Sequence, residues 1–487
     1  MKKTAVVAAI VLLGAAGWAG AAWYTGQRVE EAVHQQVEQL NAQPTFGTVQ
    51  IIDYDRGVFS STIQYTVTAE NLPLPTGLVG RGDQIAFVSQ VRHGPFPWSS
   101  LLEGKFAPVM ATTHSWLQRT DPVGAWFAAA GDAQPVEERS SIHYDGHIDF
   151  QLRFAPLNVK ESDLELESSE AVITGRTDGN LNVLQFTGTL DTVRIRSRLS
   201  DDARNEPDRL AMQDIAFQAD YRLGEFGVYL GDGKASIKRL SLDALDEEER
   251  PLNIALSDYA ITSHLTEDAT HVSGHLEYGL GAVQIGTIDL GSLQALLRFG
   301  HLEGQAVKAI MARYREIRPQ LMAEVSAHSS ESGETPVLLD EFLNESLEHL
   351  LPGQPTFGLD PLRWSLGGSE SSMRLNVALQ HASESDDLAR AIRSLDAAVV
   401  VSQPMVVELL TRLAQVPGAG EPPTPEAAAS AARLSFGLFK QMALSTGYVV
   451  NENDNLATRI SYSEGQVRIN GSQMPLEDLL RDLPISP

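Results

Sequence analysis

The sequence contains no cysteine, and this absence removes three kinds of functional site at once. Disulfide frameworks, thiolate zinc centres and cysteine nucleophiles all depend on that side chain. A chain of 487 residues without cysteine also cannot mispair thiols in an oxidising compartment. The composition is therefore consistent with export from the cytoplasm, without by itself establishing it.

Basic residues are scarce as well: 37 Lys and Arg stand against 63 Asp and Glu, which gives a formal net charge of −26. Such a surface repels phosphate backbones, so we expect no nucleic-acid partner. The same charge argues against broad docking on anionic lipid headgroups. Hydrophobic residues make up 43% and charged residues 21% of the chain, as in ordinary globular proteins, so we expect most of it to fold.

The chain also lacks the linear motifs of common enzymes. It has no GxSxG, no Walker loop, no HExxH and no dinucleotide-binding glycine turn. The sequence therefore predicts no catalytic residue, no cofactor and no metal site. His143, Asp145, His147 and Asp149 alternate like a ligand set, but on a strand they would share one solvated face, and we prefer that interpretation.

One long hydrophobic run is present, the uncharged segment Thr4–Tyr24, and two lysines precede it. About 20 residues at 1.5 Å rise cross a hydrocarbon core, and the lysines would keep the N-terminus cytoplasmic. We predict a single anchor in the bacterial inner membrane over residues 1–26, with the body in the periplasm. The residues assigned to this membrane anchor are Lys2, Lys3, Trp18, Trp23 and Tyr24.

A cleaved signal peptide is the alternative for the same segment. Val6–Leu13 would form its apolar region, and Ala19-Gly20-Ala21 has the small-x-small form of a cleavage site. The apolar character continues past that site through Tyr24, which favours the retained anchor. Both alternatives take the chain out of the cytoplasm.

An amphipathic juxtamembrane helix is predicted over residues 27–44. Val29, Val33, Val37 and Leu40 recur at helical spacing between glutamates and glutamines. A spacer that lies on the body is the interpretation we prefer. A parallel coiled coil that forms a homodimer is the alternative, although about two heptads give only a weak signal.

The rest of the chain predicts an α+β fold: an N-terminal transmembrane helix, then a large, mainly antiparallel β body with several helices in its second half. Alternation from Ile142 to Phe154 predicts one long strand or a bent pair, with Ile148 and Phe150 on its apolar face. We expect a β-rich periplasmic region over 45–300 and a mixed region over 301–487 that ends in a hairpin. The predicted helices lie at about 301–327, 336–352, 404–416 and 427–444.

A proline-flanked aromatic segment interrupts this pattern. Prolines on both sides of an aromatic residue force the chain out of a strand ladder and leave rigid apolar groups. A strand-ending plug in the core is the structural interpretation. The functional interpretation is a ligand-contacting lip formed by His93, Pro95, Phe96, Pro97 and Trp98.

Several of these segments together resemble a known family, the YdgA-like proteins of Gram-negative bacteria. The resemblance spans the chain, and its blocks occur in the family's order. They are Lys2-Lys3 with the apolar segment, Ala22-Trp23-Tyr24-Thr25-Gly26, Arg56-Gly57-Val58-Phe59-Ser60-Ser61, His93-Gly94-Pro95-Phe96-Pro97, Pro361-Leu362-Arg363-Trp364, Gly465-Gln466-Val467-Arg468-Ile469-Asn470-Gly471 and Met474-Pro475-Leu476-Glu477-Asp478. The resemblance implies association with the inner membrane and periplasm, an unknown biochemical function, and no catalytic residues.

Two functional hypotheses follow. The first is a non-enzymatic envelope protein whose long sheets offer an apolar β groove or scaffold to a lipid or an envelope protein partner. The second is a periplasmic hydrolase whose carboxylates converge in space without a linear motif. The two differ in whether the apolar strand faces close into a core or leave open space.

Overall fold

The computed structural model describes residues 2–42, 47–69, 78–80, 82–97, 104, 106–160, 164–197, 208–245, 250–328, 337–381, 391–416 and 423–475. Contacts divide the chain into two compact units, Met1–Asp220 and Tyr221–Pro487. Each is built on antiparallel strands, and each is described separately below.

The first unit contains one long helix, one short helix and ten strands among its described residues, and an eleventh strand crosses the unit boundary. The helices are α1 (Lys2–Ala42) and α2 (Gly124–Ala129). The strands are β1 (Val49–Arg56), β2 (Ser60–Thr68), β3 (Gln84–His93), β4 (Ala111–Leu117), β5 (Val136–Ile142), β6 (His147–Phe154), β7 (Leu157–Lys160), β8 (Leu164–Ser168), β9 (Ala171–Asp178), β10 (Val183–Ser197) and β11 (Asp208–Leu223).

The strands β1 to β10 form a continuous antiparallel ladder. Its order in space is β1, β2, β3, β4, β5, β6, β9, β10, β8 and β7. Partners directly opposite each other in such a ladder project to the same face of the sheet. One row of partners runs through Ile63, Ser89, Ser115, Glu138, Leu152 and Ile173. We call the face that carries this row the inner face of the first unit.

The prediction of a strand from Ile142 to Phe154 is right only for β6, because a reverse turn interrupts the segment after Ile142. Strand β5 ends at Ile142 and β6 begins at His147, and the two pair with each other across a turn in which Gly146 has φ +89°. A positive φ is open to glycine without steric cost, so the chain can reverse here. Phe150 and Ile148 of β6 lie on the inner face, in register with Ser140 and Ile142 of β5.

The helix α1 packs on the sheet with its second half. Ala22, Thr25 and Val29 recur at helical spacing and are 0%, 4% and 1% exposed. Val29 forms a buried cluster with three residues of the sheet, Ile63, Val91 and Ala111. The predicted amphipathic helix that lies on the body is therefore present, as part of a longer helix.

The predicted transmembrane helix over Thr4–Tyr24 is wrong. In the part of the chain that the structure describes, no helix is long and apolar enough to cross a bilayer. The last part of the predicted span instead belongs to the packing face of α1, because Ala22 is fully buried. Trp18 likewise contacts Phe59 of the turn between β1 and β2, with 5.4 Å between ring centroids.

The second unit has thirteen strands among its described residues. They are β12 (Tyr229–Leu245), β13 (Pro251–Glu267), β14 (His271–Leu280), β15 (Ala282–Ile285), β16 (Ile288–Asp289), β17 (Ser292–Glu303), β18 (Thr356–Leu366), β19 (Ser369–Leu379), β20 (Ile392–Ser402), β21 (Val450–Glu452), β22 (Asn455–Ser463), β23 (Gln466–Ile469) and β24 (Ser472–Pro475). Its main antiparallel ladder runs β12, β13, β14, β17, β18, β19, β20, β22, β23 and β24.

The described residues of this unit include four α-helices: α3 (Gly304–His328), α4 (Val337–Leu350), α5 (Gln403–Leu413) and α6 (Pro425–Ser445). Antiparallel sheet nevertheless dominates the described residues, so the α+β prediction is wrong. Helical periodicity located the helices but could not show how little of the sheet they cover. For example, none of the residues of α4 is buried.

One face of this second sheet is apolar and partly exposed. Leu297 pairs with Leu276 on one side and Leu359 on the other, and all three share a face. Leu297, Phe357 and Val399 of this face are 37%, 38% and 36% exposed. Exposed apolar side chains that share one sheet face are typical of a binding surface.

The docking of α1 can be tested by truncating its buried valine. Val29→Ala should lower the free energy of unfolding by about 2–3 kcal/mol, because two buried methyl groups are lost and a cavity remains. Leu40→Ala on the same helix is the control, since Leu40 is 39% exposed, and it should cost less than about 0.5 kcal/mol. Urea unfolding of the full chain measures both. Equal effects would contradict the docked arrangement.

Candidate functional site

The first unit contains an apolar cavity of about 570 Å³. Eleven of its sixteen lining residues are apolar. Nine of these come from the strands of the sheet: Val67, Ile85, Phe87, Val136, Leu152, Phe154, Leu157, Ala171 and Leu190. The volume lies within the range of small-molecule sites, and a mostly apolar lining is also typical of such sites.

The walls of the cavity follow from the register of the inner face. Phe87 pairs with Tyr65 across β2 and β3, and their rings stack at 5.3 Å with an interplanar angle of 11°. Phe154 pairs with Ala171 across β6 and β9. Trp126 of α2 adds a large ring, and it is only 4% exposed. Small residues such as Ala171 opposite large rings leave space that the sheet itself does not fill.

Three of the polar residues in this lining, Tyr65, Ser115 and Glu138, converge at one place. Ser115 Oγ lies 2.8 Å from Glu138 Oε2 and 3.0 Å from Ser89 Oγ. Since a hydroxyl has a single hydrogen, we expect it to go to the carboxylate, the stronger acceptor. Thr113 Oγ1 also donates to Glu138, at 3.2 Å to Oε2. We call Tyr65, Ser89, Thr113, Ser115 and Glu138 the polar cluster.

The tyrosine of the polar cluster is strongly perturbed. Burial, together with the negative charge of Glu138, raises the pKa of Tyr65 to about 12, while the hydrogen bond with Ser115 acts in the opposite direction. Desolvation disfavours the phenolate, as does a neighbouring anion. Tyr65 is therefore a neutral hydrogen-bonding group at any physiological pH.

Two further polar residues of the lining are engaged with the backbone. The Ser168 hydroxyl oxygen accepts from the Leu157 amide at 3.3 Å, and the Ser169 oxygen accepts from the Thr192 amide at 3.0 Å. These bonds join neighbouring strands where β8 ends. The polar cluster is therefore the part of the lining best placed to meet a polar ligand group.

The predicted lip lies at a different place, where α1 meets the sheet. His93 is 2% exposed, with Nε2 at 2.9 Å from Ser61 Oγ and Nδ1 at 3.1 Å from the Val58 carbonyl. Burial lowers the pKa of His93, the Val58 bond partly offsets this, and Arg56 lowers it again. A Cβ on Gly26 would come within 2.5 Å of the imidazole, so the helix can approach this closely only with glycine.

The other residues of the predicted lip are placed differently from one another. Pro95 follows a cis peptide bond, Phe96 is 39% exposed, and Pro97 is fully buried. Pro97, His93 and Trp18 line a separate cavity of about 370 Å³. Trp98 lies outside the described residues.

The residues assigned to the membrane anchor all belong to α1. Lys2 and Lys3 lie in its first turn. The Trp23 ring is 49% exposed and lies 5.8 Å from the Arg56 guanidinium, and Tyr24 is 56% exposed and lies 6.0 Å from that of Arg28.

The histidine and aspartate set around the β5–β6 turn forms ion pairs. Asp149 accepts a bond of 2.7 Å from Arg176 Nε, and its second oxygen lies 2.9 Å from His143 Nε2. The Arg176 bond is the largest cause that holds the pKa of Asp149 below its usual range, although burial opposes it. Asp145 accepts from the amide of His147 in the turn.

A polar cleft of about 620 Å³ also lies on the second unit. His264, His275 and Arg298 form one cross-strand row along it, and Gly358 continues the row. His264 Nδ1 lies 2.8 Å from Asp232 Oδ1. The cleft combines groups of both charge signs on a solvated face, so its chemistry is less selective than that of the apolar cavity.

Sequence reasoning did not single out the polar cluster. A signal for it was present, because Val136, Glu138, Ser140 and Ile142 occupy one face of β5. Two polar residues thus stand at positions where alternation demands apolar ones. Only the register with β4 shows that Ser115 lies opposite Glu138.

The profile of a bacterial protein family of unknown function, DUF945, matches residues 1–477. The chain is 26% identical to protein YdgA of Escherichia coli K12 over 98% of its own length and 96% of that protein. It is 21% identical to the uncharacterized protein YihF of the same organism, over 98% and 97% of the two chains. An uncharacterized Haemophilus influenzae protein is 22% identical over 64% of this chain and 85% of its own. No solved structure matches.

The protonation of Tyr65 predicts a distinct alkaline behaviour. Because its pKa rises from 10.0 to about 12 on folding, its contribution to stability is complete below pH 10 and is lost as the pH rises toward 12. At neutral pH, Tyr65→Phe should lower the free energy of unfolding by about 1 kcal/mol, because a hydrogen bond is missing. Between pH 10 and 12, the free energy of unfolding of this variant should fall less than that of the wild type. Urea unfolding at several pH values measures this. Tyr24→Phe is the control, since Tyr24 is 56% exposed. The same alkaline loss in wild type and Tyr65→Phe would refute the assignment.

Proposed function

The chain belongs to the bacterial family of unknown function DUF945, and from the geometry of its first unit we propose that it binds a lipid-like molecule without catalysing a reaction on it. The observation that carries this proposal is the apolar cavity on the inner face. A lipid chain would fill the cavity and remove its lining from water.

The size of the cavity supports a ligand rather than a packing defect. Protein interiors are close-packed, and the voids left in them are few and rarely much larger than a water molecule. An apolar pocket of about 570 Å³ that is occupied only by water makes weaker dispersion contacts along its lining than a packed interior does. An acyl chain restores these contacts and is recognised without specific hydrogen bonds.

The apolar face of the second unit supports the same proposal. Its residues Leu297, Phe357 and Val399 remain partly exposed. A protein with an apolar cavity in one unit and an exposed apolar sheet face in the other is suited to apolar ligands.

The hydrolase alternative gains no support from the two carboxylates near the β5–β6 turn, Asp145 and Asp149. Asp149 is held as an anion by Arg176 and His143, so it is poorly suited to donate a proton. Asp145 accepts a backbone amide in a turn.

We place this activity in the periplasm as part of the proposal. Lys2 and Lys3 before an uncharged apolar stretch are typical of export signals. The absence of cysteine is compatible with an oxidising compartment. Neither point depends on how the segment is processed.

The cavity can be tested by filling it. Ala171→Trp places an indole among the lining residues, so binding of the neutral fluorescent probe N-phenylnaphthylamine should weaken about tenfold or more. Thr174→Trp is the matched control, because Thr174 lies on the same strand but on the opposite face of the sheet. It is exposed there, and its hydroxyl forms a hydrogen bond with that of Thr187. Fluorescence titration of the full chain measures both, and circular dichroism checks the fold. Unchanged affinity in Ala171→Trp, or no binding by the wild type, would contradict the proposal.

The compartment can be tested with reporter fusions. Alkaline phosphatase fused to the C-terminus should be active, because that enzyme folds only after export to an oxidising compartment. A green fluorescent protein fused at the same place and exported by the Sec route should remain dark. Deleting residues 2–24 is the control and should reverse both results. A fluorescent, phosphatase-inactive pattern in the intact chain would place the protein in the cytoplasm.

A further inference from the structure

Glu138 is the one carboxylic acid among the described residues that line the apolar cavity, and Lys, Arg and His are absent from that described lining. Its neighbours in sequence alternate to the other face of β5. There Glu137 lies 3.8 Å from His114 Nε2 and 3.9 Å from an Arg139 guanidinium nitrogen. The basic groups nearest in sequence to Glu138 are therefore separated from the cavity by the sheet.

The hydrogen bonds of Glu138 leave one oxygen underused. Oε2 accepts from Ser115 at 2.8 Å and from Thr113 at 3.2 Å, whereas Oε1 has only a long contact of 3.4 Å with Thr113. An ionised carboxylate has about four lone-pair sites in total. Both described partners are neutral hydroxyls, so Glu138 can still accept a further donor and its charge has no cation beside it.

A carboxylate in an apolar setting strongly distinguishes between ligands. A hydroxyl or ammonium group can donate to it, and a hydrogen bond to a charged acceptor is stronger than one between neutral groups. An anionic group at the same place would be repelled by the carboxylate, and this repulsion is strong because the effective dielectric constant of an apolar setting is low. The net charge of −26 over the whole chain adds to this preference.

From this charge complementarity we propose that the cavity binds single-chain amphiphiles whose polar end is a hydroxyl or an ammonium group, and that this end donates to Glu138. The apolar chain extends along Phe87, Leu152 and Phe154. Amphiphiles that end in a carboxylate or a phosphate bind more weakly. The inference rests on the proposed function, because it names the class of ligand for the same cavity.

Displacement of N-phenylnaphthylamine tests the preference, with dodecylamine, dodecanol and dodecanoate as competitors below their micellar concentrations. All three share one apolar chain, so the differences report the polar end. In the full-length wild type, dodecylamine should compete at least about tenfold better than dodecanoate, which corresponds to about 1.4 kcal/mol. Dodecanol should fall between the two or match the amine.

Glu138→Gln removes the charge but keeps an oxygen that can accept from Ser115 and Thr113. This variant should bring the affinities for dodecylamine and dodecanoate to within about threefold of each other, because the charged acceptor that distinguishes the two ligands is gone. Glu137→Gln is the matched control, with the same substitution one residue away on the opposite face. It should keep the wild-type order.

The outcomes separate the inference from the proposed function. If the wild type binds the probe but shows no preference among the three competitors, the headgroup inference is wrong and the proposed function stands. If Glu138→Gln retains the wild-type preference, the selectivity does not come from Glu138 and the inference is again wrong. If the wild type binds neither probe nor competitors, both fail. Loss of the preference in Glu138→Gln alone supports both.

Discussion

Strict alternation of side chains along antiparallel strands is the constraint on which this structure depends. Because directly opposite residues share a face, the side chains of successive strands assemble into rows across the whole ladder. In the first unit such rows form the inner face, and one of them runs from Ile63 on β2 to Ile173 on β9. A row that long needs something to cover it, and α1 and α2 contact only parts of it. The apolar cavity and the partly exposed face of the second unit both follow from this shortage of covering elements.

The same alternation places a few polar residues on the inner face. Ser115, Thr113 and Glu138 hold one another by hydrogen bonds on a face where alternation otherwise supplies Phe, Leu and Val. A buried polar group is costly unless it has partners, so a cluster that satisfies only part of its capacity is informative. Tyr65 completes the cluster as a neutral group, since burial and the Glu138 charge hold its pKa at about 12. The cavity therefore has one polar end, and the charge at that end is the negative charge of Glu138.

Local patterns predicted much of the secondary structure. The helix predicted near 427–444 is Pro425–Ser445, and Thr424 Oγ1 caps it by accepting from the Ala427 amide. The predicted C-terminal hairpin pairs Tyr462 with Val467 and turns at Glu464 and Gly465, both with positive φ. Such elements are set by neighbours in sequence, through periodicity, caps and turn residues. The transmembrane prediction failed because apolarity alone does not say which neighbour covers a segment, and Ala22 is covered by the protein itself.

The amino-acid sequence by itself determined the excluded chemistries, the net charge and the positions of most strands and helices. It also showed membership of a family through glycines and prolines that hold turns and close approaches, such as Gly26 against the His93 ring. Only the tertiary structure decided which faces meet, because strand register joins residues far apart in the chain. Ser115 and Glu138 are 23 positions apart, and their contact depends on β4 and β5 pairing in one register. A shift by one residue would turn Glu138 to the other face, so the candidate site exists only in the assembled sheet.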